Sequence, residues 1–239
     1  LVNGANGEKS KLIAILDYSD GSDRIIGAPG VSSIKDLKGK KIGLEVTLME
    51  HLLLLKALEL NGLKQSDVEL INTGTNETPQ TLGSGKVAAI GAWYPVSGQA
   101  LKQVAGSKPL FTSADVKGLI YDVLAVNPTS FGKRKDDWVK VVKVYYKCVD
   151  YLKNPATADE AIKIMAARAG ADVAEYTKAI PGTKFFTLSE AKAALKKGDG
   201  LDSLYGSMAI GNKFNLENKV YKEGQKPESY IATSVVLGL

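Results

Sequence analysis

The chain has few of the residues that carry metal, redox and nucleic-acid chemistry. Its 239 residues include one cysteine, Cys148, one histidine, His51, and three arginines. A single cysteine excludes an intrachain disulfide, and one His with one Cys leaves no His/Cys metal constellation. No metal and no cofactor is therefore expected. A nucleic-acid surface would need clustered arginine or interleaved aromatics, so no such partner is expected either. No apolar run approaches the ~20 residues of a membrane span, and Leu1 does not open a signal peptide. Leu1–Glu8 reads as beginning in mid-structure, and the expectation is a piece of a longer chain. Cys148 reads as a buried thiol on the apolar face of a helix.

What is present fits a globular protein: 44% apolar and 24% charged residues. The net charge is +5, from 31 basic and 26 acidic side chains. The surplus lies in the second half, on helical faces such as Lys140, Lys143, Lys147 and Lys153, and reads as a solvated face.

The most informative stretch is Lys40 to Gly62. Lys41–Val46 alternates polar and apolar residues with the period of a strand. Thr47-Leu48-Met49-Glu50 has the form of a capping box, with Thr47 as the cap and Glu50 as its partner. His51 reads as a surface residue at the helix start. A helix with a broad apolar face follows and stops at Asn61-Gly62. A strand opening onto a helix N-terminus is where α/β sheets hold ligands, because free amides and the positive helix end face the crevice.

Around it lie an apolar strand from Lys11 to Leu16, a turn with three carboxylates at Asp17–Asp23, and an extended Arg24–Gly27. Ser33–Gly39 reads as a short capped helical turn, Asp67–Ile71 and Val87–Trp93 as further strands, and Glu77–Leu82 and Ser97–Val104 as helices. Strands alternating with helices predict a parallel sheet. After one more strand, Leu119–Val126, the pattern turns helical. Asp137–Leu152 has an apolar stripe of Trp138, Val141, Val142, Tyr145, Cys148, Val149 and Leu152, and Thr157–Glu160 has the form of a second capping box. These helices must cover a sheet lying elsewhere, and a segment before Leu1 is the expected supplier.

The ordered set Asp17–Asp23, Ile34–Lys41, Glu50–Leu54, Gly91–Pro95 and Gly118–Val126 resembles the solute-binding proteins of ABC importers. The nitrate/sulfonate/taurine-binding group is the nearest, in a superfamily shared with thiamine-pyrimidine synthases. The resemblance implies a type II periplasmic-binding-protein fold, α/β, of two lobes with parallel-type sheets flanked by helices. Lobe two would be residues 26–118; lobe one, incomplete here, would be residues 1–25 and 119–239, with hinges at both crossings. It implies a monomer in the periplasm or on the outer face of the cell membrane. Such a protein captures a small polar solute between its lobes, here a sulfonate, a taurine-like zwitterion, a nitrate-like anion or a small amine or amide, and hands it to an ABC transporter membrane permease, without catalysis. The alternative is an enzyme of pyrimidine or thiamine-precursor metabolism; the cysteine-rich motif of that enzyme is missing here.

Candidate ligand contacts follow from that fold. Asp17, Tyr18, Ser19 and Asp23 lie where the chain leaves lobe one, and serve either the ligand or their own turn. Glu45 is either a cleft carboxylate or an exposed strand residue. Thr47 caps the helix, contacts the ligand, or does both. Asn76 either donates to the solute or caps a helix. Trp93 and Tyr94 end a strand just before Pro95, where Trp93 offers either a flat wall to the solute or core packing. Asp122, mid-strand with apolar neighbours, is expected to be buried, tying the hinge or facing the cleft.

Overall fold

The computed structural model describes residues 1–239. The chain forms two compact units, Leu1–Tyr18 with Ile120–Leu239, and Ser19–Leu119. In chain order the elements begin with a helical turn α1 (Val2–Ala5) and strands β1 (Lys11–Ser19), β2 (Arg24–Gly27) and β3 (Lys41–Leu44). Then come α2 (Met49–Leu60), β4 (Glu69–Asn72), α3 (Thr78–Gly83), β5 (Ala89–Ala92), α4 (Val96–Gln103), β6 (Lys108–Thr112) and β7 (Tyr121–Val126). Helices α5 (Pro128–Lys133), α6 (Lys135–Lys153), α7 (Ala158–Ala169) and α8 (Val173–Ala179) precede β8 (Thr183–Phe185). Helices α9 (Leu188–Ala194), α10 (Leu204–Glu217) and α11 (Ser234–Leu237) complete the chain.

In the Ser19–Leu119 unit a five-stranded sheet has the order β4-β3-β5-β2-β6. Strands β3, β4 and β5 are parallel, as the strand–helix alternation predicts, but β2 runs antiparallel to both β5 and β6. Alternating side chains serve opposite faces. Ile26 and Ile90 pack with Leu82, Val87 and Ala100 beneath α3 and α4, while Leu44 and Gly91 meet α2 on the other face. Helix α2 is buried over most of its circumference: Leu53, Leu54 and Leu58 are all at 0% exposure. Each such leucine contributes roughly 2 kcal/mol of burial. Asn61 and Gly62, the latter at φ 75°, end it as predicted.

In the other unit β7, β1 and β8 form a three-stranded sheet. Strands β1 and β7 are antiparallel, with Lys11 opposite Val126 and Tyr18 opposite Tyr121. Ile13, Ile15, Val126, Val142, Tyr146, Phe186, Leu204 and Val235 belong to one core. Tyr145 and Tyr146 donate their hydroxyls to the carbonyls of Leu16 and Ile15, both at 2.8 Å, and so pin α6 to β1. Strand β8 has no signature in the sequence pattern. It is three residues long, too short for its alternation to be read.

At three places the packing departs from the local sequence pattern. The buried line of α6 is Val142, Tyr146 and Val149, so Cys148 is exposed and Val141 stands at 46% exposure. A wide stripe of apolar residues does not say which of its edges the neighbours reach. Thr157 is the N-cap of α7, yet its hydroxyl donates back to Tyr151 O at 2.6 Å rather than accepting from the helix. Asp122 is exposed on β7, not buried among its apolar neighbours.

Candidate functional site at one edge of the five-stranded sheet

Because β3, β4 and β5 are parallel and β2 is reversed, the carboxyl ends of the first three lie at the same edge as the start of β2. In register, Leu44 pairs with Asn72, and Arg24 lies opposite both Ala92 and Thr112. This edge gathers Ser19, Asp23, Glu45, Thr47, Asn76, Trp93 and Tyr94, seven of the ten residues expected from sequence. The remaining three, Asp17, Tyr18 and Asp122, lie on β1 and β7 of the other unit.

Each group at the edge has its own partners. Ser19 is buried, and its hydroxyl shares a 2.7 Å hydrogen bond with that of Ser113 and accepts from Asp23 N at 3.2 Å. Turn chemistry therefore takes up this serine. Asp23 is also buried, and its carbonyl accepts from Ser113 N. Glu45 is half-buried and accepts from the Thr75 amide at 3.0 Å, holding the loop after β4 against the β3–α2 connection. Asn72 Oδ1 accepts from Val46 N at 3.0 Å and ties the same two segments. Asn76 is exposed in the helical turn Thr75–Glu77. Trp93, 38% exposed, is not a core residue; its carbonyl accepts from Ser97 N at 2.8 Å and starts α4. Tyr94 N donates to Ser22 O, which fastens the β5 end to the segment before β2.

The start of α2 differs from the expected capping box. Thr47 sits at φ 73°, in the left-handed region, so it cannot be the extended cap, and Leu48 takes that position without a side-chain bond. The polar closure comes from His51, whose Nδ1 accepts from Thr47 N at 3.1 Å. His51 is fully buried rather than at the surface. Burial lowers its pKa, with a hydrogen bond to Gln65 acting in the opposite sense, so the ring is neutral and Nδ1 is free to accept. A β-branched residue in left-handed conformation costs energy. Thr47→Gly should therefore stabilise the protein by about 1 kcal/mol, read from its urea midpoint.

Glu50 is the residue that pattern reasoning undervalued. It is fully buried, and neither carboxyl oxygen has a hydrogen-bond partner in the chain. Burial pushes its pKa up to about 8, against a smaller lowering by its own backbone amide, and Asp23 and Glu45 add repulsion. Its side chain lies over Gly91 of β5, where an added Cβ would stand 2.7 Å from Glu50 Cβ. The available signal was the company it keeps: Leu48-Met49 before and Leu52–Leu55 after leave α2 with little polar face.

In the other unit, Asp17 and Asp122 are directly opposite across β1 and β7. Burial and then the neighbouring Asp122 raise Asp17 to about 7. Two carboxyls so placed resist carrying two charges at once. Tyr18 makes edge contacts with Tyr121 and Phe186 at centroid distances of 5.9 and 5.5 Å.

Known proteins resemble this chain in sequence and in fold. A protein of Brucella abortus named as a binding protein is 36% identical over 107 residues, 45% of this chain and 33% of the relative. The matched stretch thus spans a third of that relative's length. A protein of Escherichia coli named as an aliphatic sulfonates-binding protein is 23% identical over 198 residues, 82% of this chain and 60% of that protein. Among solved structures, the periplasmic aliphatic sulphonate binding protein SsuA of Escherichia coli superposes with a TM-score of 0.76 at 17% identity. That match covers 97% of this chain and 72% of the other. A protein from Methylobacillus flagellatus named as a periplasmic sulfonate-binding protein gives 0.78 at 15%, covering 99% and 70%. These superpositions establish the α/β fold with two helix-flanked sheets seen in periplasmic binding proteins. The family model described as NMT1/THI5 like matches residues 26–158, more than half of the chain, and the protein belongs to that family.

Proposed function

We propose that this protein is the solute-binding component of an ABC importer, capturing a small polar solute of the sulfonate or aminosulfonate class for delivery to a membrane permease. The carrying observation is the sheet edge in which strand ends, the α2 start and the exposed indole of Trp93 converge. Relatives named as sulfonate-binding support the ligand class. On this reading the units Ser19–Leu119 and Leu1–Tyr18 with Ile120–Leu239 are the two lobes of the receptor. The place of action on this reading is the periplasm or the outer face of the cell membrane; no helix is long and apolar enough to cross a membrane. A ligand that binds one conformation more tightly shifts the population toward it, which is how such a receptor signals occupancy.

An enzyme on the same fold is the lesser reading. The desulfurization enzyme DSZB shares the fold with a TM-score of 0.65 at 16% identity. In this chain, however, the one histidine is buried as a structural acceptor and the one cysteine lies on α6 of the other unit. The test is a thermal-shift and titration screen of the full-length protein against alkanesulfonates, aminosulfonates and small amines. A true solute raises the melting temperature with its concentration. Trp93→Ala should weaken that binding tenfold or more while leaving the unliganded melting temperature in place. A panel without a single hit, or unaltered affinity in the variant, would remove the receptor reading or Trp93 from it, respectively.

A further inference from the structure

A buried carboxyl without a partner is expensive, and proteins rarely keep one without a use. Glu50 is such a group, at 0% exposure with both oxygens unbonded within the chain. Only its own backbone amide relieves it in part, and burial outweighs that; the side chains around it add nothing favourable. From the segment before β2 comes Asp23, also buried, and from the β3–α2 connection comes Glu45, whose Oε1 holds the Thr75 amide. Strand β5 presents Gly91, which has no side chain to offer. On α2 itself the neighbouring His51 is held neutral by its Thr47 bond and its burial. The two charges that act on Glu50 are both carboxylates, and they raise it further after burial has done so. Two residues beyond Gly91 stands Trp93, with its ring partly open to solvent. A helix-start alanine, serine or glutamine would spare the fold this cost, so the arrangement calls for a positive group from outside the chain.

We propose that Glu50, with Asp23 and Glu45, forms the recognition site for a protonated amine or amidinium on the solute, with Trp93 flanking that cation. The inference rests on the receptor reading above and names the group the receptor selects. Three carboxylates supply attraction, and an indole face is favourable to a desolvated cation. Because Glu50 is shut off from water, the entering group must shed its hydration there, which favours a compact ammonium or amidinium over a bulky one. Pairing with a cation ionises Glu50, so binding releases its proton to solvent.

The experiment is isothermal titration of the full-length protein with three matched probes: 2-aminoethanesulfonate, ethanesulfonate and propylamine. At pH 7 in buffers of different ionisation enthalpy, the amine-bearing sulfonate should bind at least tenfold tighter than ethanesulfonate and release close to one proton. Its affinity should rise tenfold or more between pH 6 and 8, where that of ethanesulfonate stays level. Glu50→Gln, close in shape, should abolish both the preference and the proton release. Should that variant fail to fold, the wild-type proton count and pH profile decide the matter alone. Equal binding of the two sulfonates without proton release overturns the amine site and leaves the receptor reading standing. Binding of propylamine but of neither sulfonate keeps the amine site and overturns the sulfonate class. No binding by any probe overturns both.

Discussion

Gly91→Ala should destabilise the protein by about 3 kcal/mol, the order expected when a methyl is forced into a close-packed interior. The new Cβ would stand 2.7 Å from Glu50 Cβ, 3.1 Å from Leu44 Cβ and 3.3 Å from Glu50 Cγ. Two of these atoms are joined directly to backbone, so a rotamer change cannot clear them, and α2 must lift from β5. A glycine inside a strand commonly marks such an approach of another backbone. Gly98→Ala makes the matched control. On α4 its Cβ would meet only Tyr94 ring atoms at 3.5 Å, an ordinary contact, and alanine favours helix over glycine by about 1 kcal/mol. Urea midpoints should therefore move in opposite directions for the two variants. A neutral Gly91→Ala would mean that α2 does not rest on β5 as described.

The second large effect is on pH. Glu50 has an ordinary pKa of 4.5 and is raised to about 8 in the folded chain by burial first, then by Asp23 and Glu45. Between those values the folded state holds a proton that the unfolded state has lost. Stability from this group is thus fully present below about pH 4.5 and declines as pH rises toward 8, by at most roughly 1.4 kcal/mol per unit. Asp17, raised to about 7 by burial and Asp122, acts with the same sign over the lower part of that range. Glu50→Gln removes the first contribution. At pH 8.5 it should be more stable than the wild type by about 3 kcal/mol, and the gap should close toward pH 5. Chemical denaturation of both proteins across this range measures it. Parallel stability curves for the two proteins would show that Glu50 is not held protonated. The same substitution that stabilises the fold is the one expected to cost recognition of an amine, the usual tension at a site carrying a desolvated charge.

Local chemistry decided much of the architecture. The two-residue alternation of Lys41–Val46, the stop at Asn61-Gly62, and the strand–helix repeats up to Val104 follow from backbone sterics and side-chain period. They mark an α/β chain and put Trp93 at a strand end without reference to any distant residue. The turn serines and aspartates likewise announced their own bonding, as Ser19 and the Ser33–Asp36 box show.

Other features were settled by segments far apart in sequence. Whether β2 runs with or against β5 depends on its pairing with residues 89–92 and 108–112, which no local period encodes. Thr47-Leu48-Met49-Glu50 satisfies the capping pattern, yet β5 and Asp23 surround Glu50, and His51 Nδ1 takes the Thr47 amide instead. Cys148 and Asp122 were placed by apolar neighbours in sequence and are exposed because the covering elements do not reach them. Periodicity and breakers act within a few residues and so can be read along the chain. Burial, pairing direction and the charge state of a carboxyl arise from what packs across the gap, and only the assembled tertiary structure supplies those neighbours.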